Sequence, residues 1–360
     1  MAETLATILI PDISGFTEFM TTNELSHASH AINLLMDAML EAVGDEYEVS
    51  EIEGDAVLLL RKGPAPTREK IQETCLKIFN AFHFRRAWLQ QYTICPCGAC
   101  QAIINLSLKF VVHHGPLAEI KVGKFVKHSG PDMIVAHRLL KNNIGHTEYL
   151  LVTEKLLEQA ADSTEHAEWS RSFDEYASLG RVHYRFSLLS EARRLVPKPP
   201  EPPGYASTDS TSYLELPIQA PFQEVYMVVA NMAARSDWVP GLREVGQDRP
   251  EVFIGSRHLL RFDTFQALVS PVRMTISEEG ILYAENWRIE EQDLSLIFEY
   301  VFRNQEERLC GFAARFLNAG DTAWPDQDRT ALFRQLQDTA VQLKTFCEKN
   351  FASSGPPGTA

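Results

Sequence analysis

Apolar positions along the first half of the chain recur with two different periods, and the changes of period predict its elements. Thr7–Ile10 is an apolar run of strand length, whereas Ser26–Val43 ("SHASHAINLLMDAMLEAV") spaces its apolar residues three and four apart, as an amphipathic helix does. Glu46–Lys62 ("EYEVSEIEGDAVLLLRK") reads as two short strands joined by a turn at Glu53-Gly54-Asp55. A helix over Lys70–Leu89, a long strand over Ala102–His113 and a hairpin through Gly130 follow. Met133–Asn142 then reads as a helix and Glu148–Thr153 as a strand. This order, β-α-β-β-α-β with additions, is the ferredoxin-like plan.

The pattern breaks at "VPKPPEPPGYASTDS", Val196–Ser210, where five prolines within Pro197–Pro203 forbid a helix and favour an extended spacer. Beyond it come one strand, a helix starting near Pro221, and strand-like, aromatic-rich segments from Val252 to Phe316. The closing segment repeats Leu332, Leu336, Leu343 and Cys347 at helical spacing. The expected fold class is α+β in two domains, 1–190 and 211–352, with a linker over 191–210 and a disordered tail over 353–360.

Composition narrows the function classes. A formal net charge of −14 argues against a general nucleic-acid binder, which needs a basic face against phosphates. No stretch approaches the roughly 20 apolar residues of a membrane helix, and "MAETLATILI" lacks the basic and apolar regions of a signal peptide. Six cysteines in 360 residues fit a reducing compartment, so a cytoplasmic location is expected.

The first strand runs into "PDISGFTEF", so a carboxylate, Asp12, stands just before a glycine and a helix start. Asp55 lies at the tip of the predicted hairpin, which a ferredoxin-like sheet sets beside the end of the first strand. Two converging carboxylates can hold paired Mg²⁺ ions about 3.5–4 Å apart that clamp a phosphoryl group. Gly15 would let the backbone approach phosphates closely, and the amides near Phe16 and Thr17 would donate to them. Taken singly, Asp12 reads as a helix cap and Asp55 as a turn residue.

"ILIPDISGFTEF" followed by "EIEGDAVLL" resembles the class III nucleotidyl cyclases (adenylate and guanylate cyclases), and the likeness covers roughly Thr7 to Leu189. It continues more loosely through "HHGPLAEIKVGKF" and "SGPDMIVAHRLLKN". The resemblance implies that Asp12 and Asp55 bind Mg²⁺ or Mn²⁺, with the carbonyl of Ile13 as an accessory ligand. It implies a nucleoside triphosphate as partner and a homodimer in which Arg138, from the other chain, stabilises the transition state. Glu51 occupies the place that guanine-specific members fill with Glu, while its partner position is Lys127, which matches neither base-reading pattern.

Two departures bear on turnover. The family's ribose-orienting Asn falls on Ile134, and its triphosphate-binding Lys falls where Ala177 and Leu179 stand, with Arg181 nearby but out of register. Loss of such donors typically costs orders of magnitude in rate. Two functions are therefore expected as alternatives: a signalling protein related to the cyclases with weak activity, or a non-enzymatic dimerisation and ligand-binding protein. Lys121, Lys124 and Lys127 read as a solvated hairpin.

"TICPCGACQAI" brings Cys95, Cys97 and Cys100 together in C-x-C-x-x-C spacing, which suits Zn²⁺ or an iron–sulfur cluster, with no fourth ligand adjacent. His83, Cys75, His113 and His114 are the candidates that a fold could supply; a turn of reduced thiols is the alternative. His113 and His114, neighbours on a strand, point to opposite faces.

"YLELPIQAPFQEVYMVVANMAARSDWVPGLREV" resembles the opening of the START-like (SRPBCC) superfamily, through Ala220-Pro221, Val225 and Trp238-Val239-Pro240. The resemblance spans about Ser212 to Phe351 and implies a helix-grip fold around a cavity for a small hydrophobic ligand. Phe262, Phe265, Trp287 and Phe298 are its candidate lining.

Overall fold

A computed structural model describes residues 3–123, 125–160, 169–202, 205, 213–247, 252–289, 294–318 and 326–351. The chain divides into two units, Met1–Gln90 with Cys97–Pro199, and Gln91–Pro96 with Pro200–Ala360.

The first unit opens on strand β1 (Glu3–Ser14), followed by helices α1 (Phe16–Thr22) and α2 (Leu25–Val43). The hairpin β2 (Glu48–Glu53) and β3 (Ala56–Lys62) leads into the long helix α3 (Arg68–Tyr92). Helix α4 (Gly98–Ala102) precedes β4 (Ser107–Val122), which folds back as β5 (Phe125–Ser129). Helix α5 (Pro131–Leu139), β6 (Tyr149–Thr153), α6 (Glu154–Gln159), β7 (Ser170–Tyr176), β8 (Gly180–Leu188) and α7 (Ser190–Leu195) complete it.

The strand order is β2-β3-β1-β4-β6-β8-β7, with β5 paired to β4 alone. Its first four strands are antiparallel neighbours, the order that the β-α-β-β-α-β plan requires. Period-2 alternation sorts β1 cleanly between two layers. Leu9 and Ile13 face a core with Leu35 and Met39 of α2 and Ile78, Phe79 and Phe82 of α3. Ala6, Ile8 and Ile10 face the opposite side, against Met133 and Ala136 of α5. Each fully buried Leu, Ile or Phe side chain among them contributes about 1.5–3 kcal/mol relative to exposure.

Three expected elements are corrected. The strand expected from Ala102 begins only at Ser107, because Ile103–Asn105 form a 3₁₀ turn after α4. The buried Arg86 guanidinium of α3 fixes that turn by donating to the carbonyls of Ile104, at 2.7 Å, and Leu106. The hairpin turn lies at Gly123, φ +62°, whereas Gly130, φ +150°, opens α5. Helix α5 ends at Leu139 rather than Asn142, since Asn142 Nδ2 donates to the Leu139 carbonyl at 2.7 Å and stops the helix. Lys124, part of the linker and the expected tail lie outside the described residues.

The second unit contains β9 (Leu214–Ile218), α8 (Phe222–Ala230), β10 (Leu242–Gln247), β11 (His258–Phe262), β12 (Gln266–Ser277), β13 (Gly280–Ile289), β14 (Leu294–Glu306) and β15 (Leu309–Asn318). It closes on α9 (Asp326–Phe351). The sheet is antiparallel throughout, in the order β10-β11-β12-β13-β14-β15-β9. Leu336, Leu343 and Cys347 of α9 are buried together with Ala340, whereas Leu332 is only partly buried. Among the described residues no helix is long and apolar enough to cross a membrane.

Candidate functional site

Asp12 continues the α5-facing side of β1 and lies opposite Ala56 of β3 on one flank and Lys109 of β4 on the other. The turn between β2 and β3 uses Gly54 at φ +63°, a left-handed conformation that favours glycine. The Ile13 amide donates to the carbonyl of the next residue, Asp55, at 3.0 Å. The turn thereby brings Asp55 beside Asp12, near enough for its charge to push the Asp12 carboxyl up. The two acids of the separate motifs do come together.

Their surroundings are unusual for carboxylates. Asp12 is 7% exposed, and burial pushes its carboxyl up to about 6. The ammonium of Lys109, 3.3 Å from Asp12 Oδ2, works against that shift, while the neighbouring Asp55 adds to it. Lys109 Nζ also donates to the Leu140 carbonyl at 3.2 Å, just beyond the last turn of α5. Sequence reasoning missed Lys109. Its signal was a single charge inside the otherwise uncharged run Leu106–Val112.

Gly15 caps α1 in the left-handed region at φ +88°, which is why a glycine stands there. A Cβ would meet only ordinary contacts, the nearest being the Asn105 carbonyl oxygen at 3.5 Å. Phe16 and Thr17 form the first turn of α1. Glu51, on β2, accepts a hydrogen bond from Lys127 Nζ at 3.1 Å, so the two positions aligned with base reading meet as an ion pair. Arg138 is exposed on α5, and its backbone carbonyl accepts from the Tyr176 hydroxyl at 3.1 Å. Ile134, one turn earlier, is 49% exposed. Arg181 pairs with Glu175 across the β7–β8 hairpin and lies over the Phe173 ring.

A polar network unforeseen from the sequence joins β4, α5 and α6. His113 Nε2 lies 2.8 Å from Asp132 Oδ1, and His113 Nδ1 lies 2.8 Å from Thr153 Oγ1. Lys155 also donates to Asp132. Burial pushes the Asp132 carboxyl up, but the hydrogen bonds from His113 and Lys155 outweigh it and hold the group below its usual range. Gly115 makes room for this carboxylate, since a Cβ there would come 2.2 Å from Asp132 Cγ. His114, on the opposite face of β4, bonds Thr7 Oγ1 at 2.9 Å.

The three cysteines gather with a fourth group, and it is none of the expected candidates. His27, in the first turn of α2, joins Cys95, Cys97 and Cys100, with all four ligand atoms within 4.8 Å of one another. His113 and His114 are committed to the contacts above. His83 is buried beside Arg193 and Glu148, with burial first and the Arg193 charge second lowering its imidazole to about 2. Cys75 is buried in the α2–α3 core.

In the second unit the four candidate lining aromatics pack on one another. Phe262 stacks on Phe265 at 4.4 Å between centroids, and Trp287 lies 6.1 Å from Phe262 and 5.1 Å from Phe298. An open cleft of about 280 Å³ in this unit is lined instead by residues that include Tyr205, Ile254 and Arg273. A buried ion pair was also missed: Arg235 NH1 donates to Glu285 Oε2 at 2.9 Å, and NH2 to Oε1. The Arg235 Nε donates to the Val229 carbonyl at 3.0 Å, and Trp287 Nε1 donates to Glu285 at 3.0 Å.

Comparison with known proteins gives likenesses of limited extent. A family described as "Protein of unknown function (DUF2652)" matches residues 32–149. The "Uncharacterized protein Rv2561/Rv2562" of Mycobacterium tuberculosis (strain ATCC 25618 / H37Rv) is 34% identical over 122 residues, covering 33% of this chain and 57% of that protein. The chain thus spans little more than half the length of this curated relative. Adenylyl and guanylyl cyclase structures align with about half of the chain. The guanylyl cyclase Cya2 aligns at 16% identity and a TM-score of 0.36, covering 51% of this chain and 92% of its own. A bacterial light-regulated adenylyl cyclase aligns at 15% identity and 0.38, covering 54% and 98%. The adenylyl cyclase CyaB from P. aeruginosa aligns at 13% identity and 0.35, covering 52% and 95%.

Proposed function

We propose that the first unit is a nucleotidyl-cyclase-related signalling domain that binds Mg²⁺ or Mn²⁺ with a nucleoside triphosphate. The observation that carries this reading is the placement of Asp55 beside Asp12, fixed by the Ile13 amide on the Asp55 carbonyl at 3.0 Å and by the pairing of Asp12 with Ala56. Two adjacent carboxylates cannot both stay ionised at low cost, and a divalent cation relieves them as a shared proton does. The donor set is all oxygen, which suits a hard cation rather than a thiophilic one. Asp12 and Asp55 would hold the ion, with the Ile13 carbonyl as a further oxygen. When bound, it would supply charge neutralisation to the phosphates and acidify the ribose 3′-hydroxyl.

Around that centre, Gly15, Phe16 and Thr17 would present backbone to the triphosphate, and Glu51 with Lys127 would face the base. Lys109 would release Asp12 and turn its charge toward the phosphates. Arg138, exposed on α5, would serve the site of a second copy, which makes the active assembly a homodimer. Exposed apolar Val49 and Ile52 on β2, Ile120 and Val126 on the β4–β5 arm and Ile134 on α5 support such an interface. The reaction would be attack of the ribose 3′-oxygen on the α-phosphate with pyrophosphate leaving. Ile134 and Leu179, where the resembling family carries donors, make this turnover slow.

The second unit, in this reading, is a START-like helix-grip domain for a small hydrophobic ligand. Its antiparallel sheet and the buried face of α9 support the assignment. Ligand occupancy would change the nucleotide affinity of the first unit, which is the meaning of an allosteric coupling.

A second reading, a dimerisation module without catalysis, is favoured by one observation. The Lys109 ammonium already neutralises Asp12 from within the chain. Calorimetric titration with Mn²⁺·GTP and Mn²⁺·ATP, followed by chromatography for the cyclic nucleotide, separates the two. Saturable binding that disappears in Asp55→Ala supports the first; a dimer that takes up neither nucleotide overturns it.

A further inference from the structure

The cluster of His27, Cys95, Cys97 and Cys100 is independent of the carboxylate pair and of the nucleotide reading. Three of its members come from one short segment, so the C-x-C-x-x-C spacing alone brings the thiols close. Cys97 is the residue before the first turn of α4, and the Gln101 amide closes that turn on its carbonyl at 3.2 Å. The fourth member arrives from a different element. His27 Nδ1 lies 3.1 Å from Cys97 Sγ, 70 positions away in the chain.

The approach of the two elements is built into their small residues. Ala28 of α2 and Ala99 of α4 are both fully buried in the same core, and Gly98 sits so near the α1–α2 connection that a Cβ would come 2.8 Å from Asn23 Oδ1. Residues without bulk at these positions let the start of α2 come close to the cysteine segment. All four ligand residues are half-buried, shielded yet within reach of an entering ion.

We propose that these residues form a Cys₃His site for one structural Zn²⁺ ion. The spacing selects the metal. Zn–S bonds of about 2.3 Å and Zn–N bonds of about 2.0–2.1 Å in a tetrahedron put neighbouring ligand atoms roughly 3.5–3.8 Å apart. Four atoms mutually within 4.8 Å need only a small contraction to reach that geometry. An iron–sulfur cluster has its ligands on different irons and holds some of them farther apart, so this cage is too small for one. Three thiolates and one neutral imidazole are soft donors, the set that structural zinc sites use, and four protein ligands leave no open position for catalysis. The ion fixes the cysteine segment to the start of α2.

The test uses the full chain purified without a polyhistidine tag. Elemental analysis is expected to find one zinc per chain, falling at least tenfold in Cys97→Ser. Co²⁺ exchanged into the wild-type protein should give the intense visible bands of tetrahedral thiolate coordination. His27→Ala should weaken and shift those bands, and His27→Cys should restore a tetrahedral spectrum at full stoichiometry. Wild-type protein that is folded by circular dichroism but takes up no stoichiometric Zn²⁺ or Co²⁺ overturns the proposal. So does an iron–sulfur chromophore, or a mass showing two of these cysteines joined as a disulfide under reducing conditions.

Discussion

Lys109 Nζ stands 3.3 Å from Asp12 Oδ2, on directly paired residues of β4 and β1, so the strand that carries the motif carboxylate faces its counter-ion across the ladder. Cross-strand pairs of opposite charge are a common means of stabilising a sheet. Here the pair is largely buried, with side-chain exposures of 19% and 10%, and the charge of the second carboxylate, Asp55, acts on Asp12 as well. The site is a three-member charge cluster with one cation already inside it.

Asp12→Asn tests that arrangement through pH. The Asp12 carboxyl titrates near 6 in the folded protein, above its ordinary value of 3.8, so the folded state holds its proton more tightly than the unfolded one. Its stabilising effect is complete below about pH 4 and is lost as pH rises through 6. Asparagine mimics the protonated acid. The variant should therefore match wild type in urea unfolding at pH 4 and exceed it at pH 7 by on the order of 3 kcal/mol, while binding no Mn²⁺. Lys109 keeps the Leu140 carbonyl as partner in the variant. Equal stability offsets at both pH values would refute the assignment.

Gly115→Ala should be strongly destabilising. The new methyl would occupy the space of the Asp132 carboxylate, 2.2 Å from Cγ, and force it off His113 and Lys155. Separating buried partners of this kind costs on the order of 2–4 kcal/mol. Thermal unfolding measures it, and a change below about 0.5 kcal/mol would mean that the carboxylate relocates freely.

Arg235 and Glu285 offer a double-mutant cycle in the second unit. Either Arg235→Met or Glu285→Gln alone leaves a buried group without its charge partner, at a cost of about 3–5 kcal/mol. Because Glu285 also accepts from Trp287 and Arg235 also donates to Val229, the double variant should recover only part of that loss. Additive single effects in chemical denaturation would show that the pair is not coupled.

Arg138 is examined best by complementation. If the homodimer shares its sites, mixing Asp12→Ala chains with Arg138→Ala chains restores one complete site in each heterodimer. Cyclic-nucleotide formation should rise well above that of either variant alone; an unchanged rate with active wild type in parallel excludes action from the second copy.

How far the sequence reaches depends on the distance over which each feature is encoded. Helix α2 and the β2–β3 hairpin were legible to within two residues of their bounds, because period and turn chemistry are local properties. The extra turn before β4 was not, because its cause is the Arg86 guanidinium reaching over from α3. The Asp12–Asp55 meeting could be anticipated only through the topology that the element order implied. His27 carried no sequence signal, since a histidine in the first turn of a helix is unremarkable until α2 and α4 pack.

The linear sequence by itself determined the alternation of strands and helices, the Pro-rich break, the two acidic motifs and the grouping of the cysteines. The tertiary structure alone decided which side chains neutralise one another: Lys109 on Asp12, Lys127 on Glu51, Lys155 and His113 on Asp132, Arg235 on Glu285, and His27 beside the thiols. The reason is physical. Local backbone preferences act over a few residues, whereas the energy of a charge depends on what desolvates and faces it, and those partners come from strands and helices far away in the chain.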